Sequence, residues 1–168
     1  MDILMIVLRL IHILTAVFWG GTVFFMVSFL TPAVQAAGPE GGKVMQRLAM
    51  SSFAKALPGI ASLTVLSGLA MYWDRYVMLN LWSTKAGLAF GFGGVMGLIS
   101  LGIGLIITAP AITRIGALAR EMIASGKPPT PEQMKEIQGL QMKMTGAAVW
   151  NAIFVALAAA AMAVARYL

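Results

Sequence analysis

His12 is the only histidine among 168 residues, and it sits inside an unbroken apolar run covering residues 3–30. An ionisable side chain is costly in a bilayer and tends to mark a site, because hydrocarbon offers nothing in place of the water it loses. Arg9, His12, Thr15, Ala16 and Trp19 fall at i−3, i, i+3, i+4 and i+7. That spacing puts a cation, an imidazole, a hydroxyl, a small residue and an indole on one stripe of one helix. Two kinds of chemistry suit such a stripe. The imidazole can hydrogen-bond a group on a neighbouring helix and serve packing alone, or its lone pair can ligate a metal or a metal-bearing cofactor.

The elements that must position this stripe follow from composition. The chain is 60% hydrophobic and 11% charged, with a mean hydropathy of +0.87, which marks an integral membrane protein. Spans are expected at about residues 3–30, 52–73, 85–109 and 145–165, each near the roughly 20 residues needed to cross. The remainder is too short for a separate soluble domain, so residues 1–168 form one transmembrane domain, an all-α four-helix bundle. Val34-Gln35-Ala36 carries small residues of the kind found at cleavage sites. Asp2 and the length of the first run nevertheless argue for a retained span, since a signal peptide opens with positive charge and has about 7–15 apolar residues.

The net charge is +6, and its placement sets the expected topology. Lys43, Arg47 and Lys55 lie in the first connection and Arg114, Arg120, Lys127, Lys135 and Lys143 in the third, against Arg9, Arg75, Lys85 and Arg166 on the other side. The positive-inside rule places connections one and three in the cytoplasm and both termini outside, in a bacterial cytoplasmic membrane. Anionic headgroups and topology account for these cations without a nucleic-acid partner.

The connections have their own patterns. Pro32 is expected to stop the first helix, and after Gly38-Pro39 a short amphipathic helix should lay Val44, Met45, Leu48 and Phe53 on the membrane, with Lys43, Gln46 and Arg47 in water. Leu57-Pro58-Gly59 predicts a kink or a fresh start. A second kink is expected at Pro110, and Gly126-Lys127-Pro128-Pro129 breaks the third helix. Thr130, Pro131 and Gln133 have capping-box spacing, from which the fourth helix should run unbroken. Helices three and four thus form a cytoplasmic extension of about 20 Å. Gly87, Gly91 and Gly94, the pair Gly93 and Gly97, and Ala152, Ala156 and Ala160 are small-residue patterns that let helices approach closely or leave room for a flat ligand.

At roughly 13 Å from the external end, His12 is level with Thr64, the stretch from Gly91 to Gly94, and Leu157. No acid, lysine or second histidine shares that level, and the chain has no cysteine. A zinc site built from one protomer therefore lacks ligands. Haem b suits a lone imidazole, because the macrocycle brings four nitrogens and asks the protein for one or two ligands. Arg9 is then placed to pair with a propionate, with Lys85 on the same side, and Trp19, Gly91 and Gly94 are candidate ring neighbours. Copper is the alternative, given thirteen methionines, whose thioethers favour Cu(I). Met45, Met50, Met142 and Met144, however, lie in or beside the cytoplasmic connections. A protein whose histidine only packs is the third reading.

Arg9-Leu10-Ile11-His12-Ile13-Leu14 with Phe18-Trp19-Gly20-Gly21 resembles the first-helix signature of small bacterial membrane proteins related to copper-resistance protein D and to protoporphyrinogen oxidase of the HemJ type. Leu63-Thr64-Val65-Leu66-Ser67-Gly68-Leu69 and Leu81-Trp82-Ser83-Thr84-Lys85-Ala86-Gly87-Leu88 agree with it. The resemblance implies a four-helix bundle binding b-type haem, with His12 as ligand and Lys85 as a site residue. Where the HemJ type continues with an aromatic, leucine-proline-arginine stretch and another histidine, this chain has Phe24-Phe25-Met26-Val27-Ser28-Phe29-Leu30. A haem-dependent oxidoreductase, working as a homodimer with a redox partner in the lipid bilayer, is the expected whole.

The charge distribution generates a direct test of topology. Cysteines introduced at Lys127 and Gly41 should be shielded from an impermeant thiol reagent in intact cells, while one at Asn80 should be labelled. The reverse pattern would invert the orientation.

Overall fold

Runs of apolar residues with few charges fold in lipid as helices, because each backbone N–H must find its partner within the segment. The computed structural model describes residues 3–126 and 128–168. Asp2 and Lys127, on which parts of the topology reading rest, lie outside the described residues. Five helices make up the fold: α1 (Ile3–Ala36), α2 (Pro39–Met50), α3 (Ser52–Val77), α4 (Lys85–Ser125) and α5 (Pro131–Ala165). All but α2 are long and apolar enough to cross a membrane, as in a multi-pass membrane protein. Among the described residues there is no strand, and the architecture is the expected all-α bundle.

Pro32 behaves differently from the sequence expectation, and Pro110 shares its local geometry. Pro32 does not stop α1. The helix widens into a turn of π-helix at Met26–Leu30, closed by the Thr31 N–H donating to the Met26 carbonyl, and then continues to Ala36. The same device precedes Pro110, where Gly104–Thr108 forms a π turn and the Ala109 N–H donates to the Gly104 carbonyl. A wide turn just ahead of proline absorbs both the missing donor and the crowding of its ring. Pro58 lies within α3 without starting a new helix; the start is at Ser51, whose side chain caps the Phe53 N–H at 3.2 Å. The capping box at Thr130 and Gln133 is present in full, and α5 runs 35 residues without a break.

The helices associate as two close antiparallel pairs, α1 with α3 and α4 with α5, joined chiefly through α3 and α4. The first pair holds the core, where Trp19, Val23, Ala61 and Val65 are buried and Leu57, Ile60, Leu101, Ala152 and Val155 pack around them. In the second pair, a Cβ on Gly93 would lie 2.9 Å from Cγ of Met162 and 3.1 Å from the Ala158 carbonyl, so the backbones meet there as small-residue packing predicts. Of the alanines expected to pack at a helix contact, Ala152 does so at the core, whereas Ala156 and Ala160 are exposed. A repeat of four drifts about 40° per step around a helix of 3.6 residues per turn, so such a stripe leaves the contact within two turns. A hydrogen bond from Ser100 to Asn151, both buried, also joins this pair.

The amphipathic helix forms as α2, yet its apolar side is not given over to the membrane alone. It packs on the extension of α4, where Gly116 faces the Ala49 carbonyl and Leu118 and Ala119 are buried. Met45, Leu48 and Phe53 are half-buried, whereas Val44 is exposed. Arg114 and Glu136 form a forked pair, with nitrogen–oxygen distances of 2.6 and 3.0 Å, that fastens the extension of α4 to that of α5. Gly41 abuts the Val34 carbonyl, so a cysteine there would displace the chain. Gly42, with open space at its Cβ, is the better labelling position. Likewise, Asn80 has a φ of 55°, and exposed Ser83 replaces it.

Packing at Gly93 sets a stability order. Gly93→Val should cost about 1–3 kcal/mol by overpacking, and Ser100→Ala about 1 kcal/mol by losing an interhelical hydrogen bond. Gly102→Ala, with nothing near its Cβ, should be neutral or slightly stabilising. Unfolding measurements in detergent check the order.

Candidate functional site

His12 is held by a hydrogen bond that ties α1 to the backbone of α3. Its Nδ1 lies 2.7 Å from the Thr64 carbonyl oxygen. A carbonyl only accepts, so Nδ1 carries the proton and Nε2 of the neutral ring keeps its lone pair. The ring rests on Gly68: a Cβ there would be 2.8 Å from Cε1 and 3.0 Å from Nδ1. Any other residue at position 68 would push the imidazole away. Thr64 and Gly68 are one turn apart on α3, so a single face provides both the acceptor and the space.

Nε2 makes no hydrogen bond. His12 is half-buried, and among the described residues no buried side-chain nitrogen or oxygen is left without a partner. Nε2 therefore reaches the accessible surface of the protomer. Gly20 of α1 meets Val155 of α5, with a Cβ on the glycine lying 3.3 Å from Cγ1 of the valine. One and two turns farther along α5, Ala159 and Ala163 are exposed, while on α1 the stripe passes from Gly20 through Ala16 to His12, both half-buried. Gly94 of α4 has nothing within 4 Å of its Cβ position.

The other predicted site residues are distributed unevenly. Arg9, one turn from His12, is exposed and forms no ion pair among the described residues. Lys85 is exposed at the first position of α4, behind the Thr84 cap, and no hydrogen bond joins it to His12. A cation there opposes the helix dipole, so local helix stability does not explain it. Gly91 receives the Tyr72 ring, whose hydroxyl donates to the Gly87 carbonyl at 3.1 Å. Trp19 is a core residue at 6% exposure. Its indole faces the same way as His12 but two turns deeper, where α1, α3 and α5 converge. Thr15 turns its hydroxyl back to the Ile11 carbonyl at 2.7 Å.

Depth placed Thr64 level with His12 but not as its partner, and Ser67 and Gly68 are neighbours that reasoning from the histidine alone did not find. Their signal was a small-polar cluster at i, i+3 and i+4 at the depth of His12. Among the described residues no three histidine, cysteine or carboxylate side chains converge on one point. Two clefts, of about 390 and 460 Å³, lie elsewhere, one beside Phe92 and Leu157 and the other lined by Gln35, Gln138 and Gln141. The chain matches no protein-family model, no curated protein and no solved structure.

The contact at Gly68 is testable without any ligand. Gly68→Ala should destabilise the protein by about 1–3 kcal/mol. In the double variant with His12→Ala most of that loss should disappear, as a coupling energy between touching residues. Additive losses in thermal unfolding would mean that the two do not touch.

Proposed function

We propose that the protein binds haem b through Nε2 of His12 and serves redox or oxidase chemistry in a bacterial cytoplasmic membrane. One observation carries this reading: the Thr64 carbonyl holds the Nδ1 proton and leaves Nε2 unpartnered, at the surface, in an apolar helix. A metal-ligating histidine characteristically donates its other N–H to a carbonyl or carboxylate, which orients the ring and raises its basicity. A histidine kept only for packing would gain by using both nitrogens, since an unpaired polar atom in hydrocarbon costs free energy. The donor set also suits the group, as haem needs one or two protein ligands where a bare metal ion needs three or more.

In this reading His12 ligates the iron, Thr64 orients it and Gly68 makes room for its ring. Exposed Arg9, a turn away, pairs with a propionate, Lys85 adds positive charge at the same end, and Gly91 and Gly94 keep the facing helix slim. When bound, haem supplies one-electron chemistry at iron, which no side chain of this protein offers. The resemblance to the copper-resistance protein D and HemJ-type group points the same way. Placement toward the external leaflet, a homodimer and exchange with a redox partner belong to the same proposal.

His12→Ala should reduce haem content of the purified protein to background while leaving it inserted. Arg9→Gln should weaken haem retention about two- to fivefold, the range of an exposed ion pair. Arg166→Gln, which removes a cation lying over the Tyr167 ring at the end of α5, should leave retention unchanged. Equal effects at Arg9 and Arg166 would remove Arg9 from the site. Stoichiometric copper with no haem, lost in His12→Ala, would replace the proposal by the copper alternative.

A further inference from the structure

Ser67 hydrogen-bonds the same carbonyl that His12 uses. Its hydroxyl lies 2.7 Å from the Leu63 carbonyl and 3.0 Å from that of Thr64, and the residue is 4% exposed. A serine in an apolar helix needs only one of these bonds to satisfy its hydroxyl, and Leu63 offers the ordinary one at i−4. Ser62 illustrates the ordinary case, with a single bond to the Pro58 carbonyl at 2.8 Å. The second bond of Ser67 falls on the atom that sets the state of the histidine.

We propose that Ser67 is a positioning residue that sets the strength of the His12 Nδ1–H hydrogen bond through the shared Thr64 carbonyl. Within the helix the Thr64 carbonyl already accepts the Gly68 N–H, and the Ser67 proton, shared between the Leu63 and Thr64 carbonyls, adds to it; each further donor weakens the others, because all draw electron density from the same oxygen. The Ser67 hydroxyl therefore softens the bond from Nδ1–H and makes Nε2 a weaker electron donor. Hydrogen bonding to a ligand histidine is one of the levers by which a protein sets the potential of bound haem. A softer bond raises that potential, since it favours the reduced iron. The tuning of the ring stands on geometry alone, whereas its consequence for potential rests on the haem reading above.

The test uses the full-length protein in bilayers with ¹⁵N-labelled histidine, at a pH above the usual histidine range. The single histidine makes the spectrum unambiguous. The proton should be found on Nδ1, and in Ser67→Ala its resonance should move downfield as the bond to Thr64 tightens. Ser67→Cys, with a weaker donor of similar size, should give an intermediate shift and serves if the alanine variant does not fold. Ser62→Ala is the control on the same helix and should leave the resonance in place. A proton on Nε2, or a resonance that moves no more in the Ser67 variants than in Ser62→Ala, overturns the inference. In haem-loaded protein, the Ser67→Ala midpoint potential should fall below that of wild type. A shifted proton resonance in a protein that takes up no haem would leave the tuning intact and defeat the haem reading alone.

Discussion

The bond from the His12 imidazole to the Thr64 carbonyl is the interaction on which the rest of this structure turns, because it joins a polar ring to a helix backbone where water is absent. In hydrocarbon each polar group must find its partner inside the protein. Most side chains here do so within their own turn: Thr15, Ser62, Thr64 and Thr113 each donate to a carbonyl three or four residues back. Ser100 and Asn151 solve the problem between α4 and α5. His12 is different, since it commits one nitrogen to α3 and leaves the other uncommitted.

This asymmetry depends on a geometric concession by α3. Gly68 removes the side chain that would otherwise occupy the place of the imidazole, and Trp19, Ala61 and Val65 pack the helices firmly just beyond it. The core lies on the far side of the histidine from Ile3, so α1 is anchored to α3 on one side of the imidazole. The extension formed by α2, α4 and α5 is held by separate means, the buried Leu118 and Ala119 and the Arg114–Glu136 pair. Its integrity therefore need not depend on the site.

Much of this was legible in the residues. Four spans follow from hydropathy, and Thr130 with Gln133 marks the start of α5 because a capping box satisfies two helix-end donors locally. Pro32 was misread because the π turn ahead of it has no composition of its own; it is a backbone adjustment. The alanine repeat in α5 was legible only in part, since spacing names a stripe but not how far along it a neighbouring helix follows. At the site, His12, its helix face and the level of Thr64 were evident, while the bond to the Thr64 carbonyl and the space at Gly68 were not, because a backbone carbonyl and an absent side chain leave little trace in residue type.

The central claim is that the sole histidine of this chain is a ligand. Its most direct test is the reduced-minus-oxidised absorption spectrum of wild-type protein, purified in mild detergent after expression with ample haem precursor. The account predicts a Soret band and the α-band of a b-type haem. A protein that absorbs only in its own ultraviolet band under those conditions would contradict it.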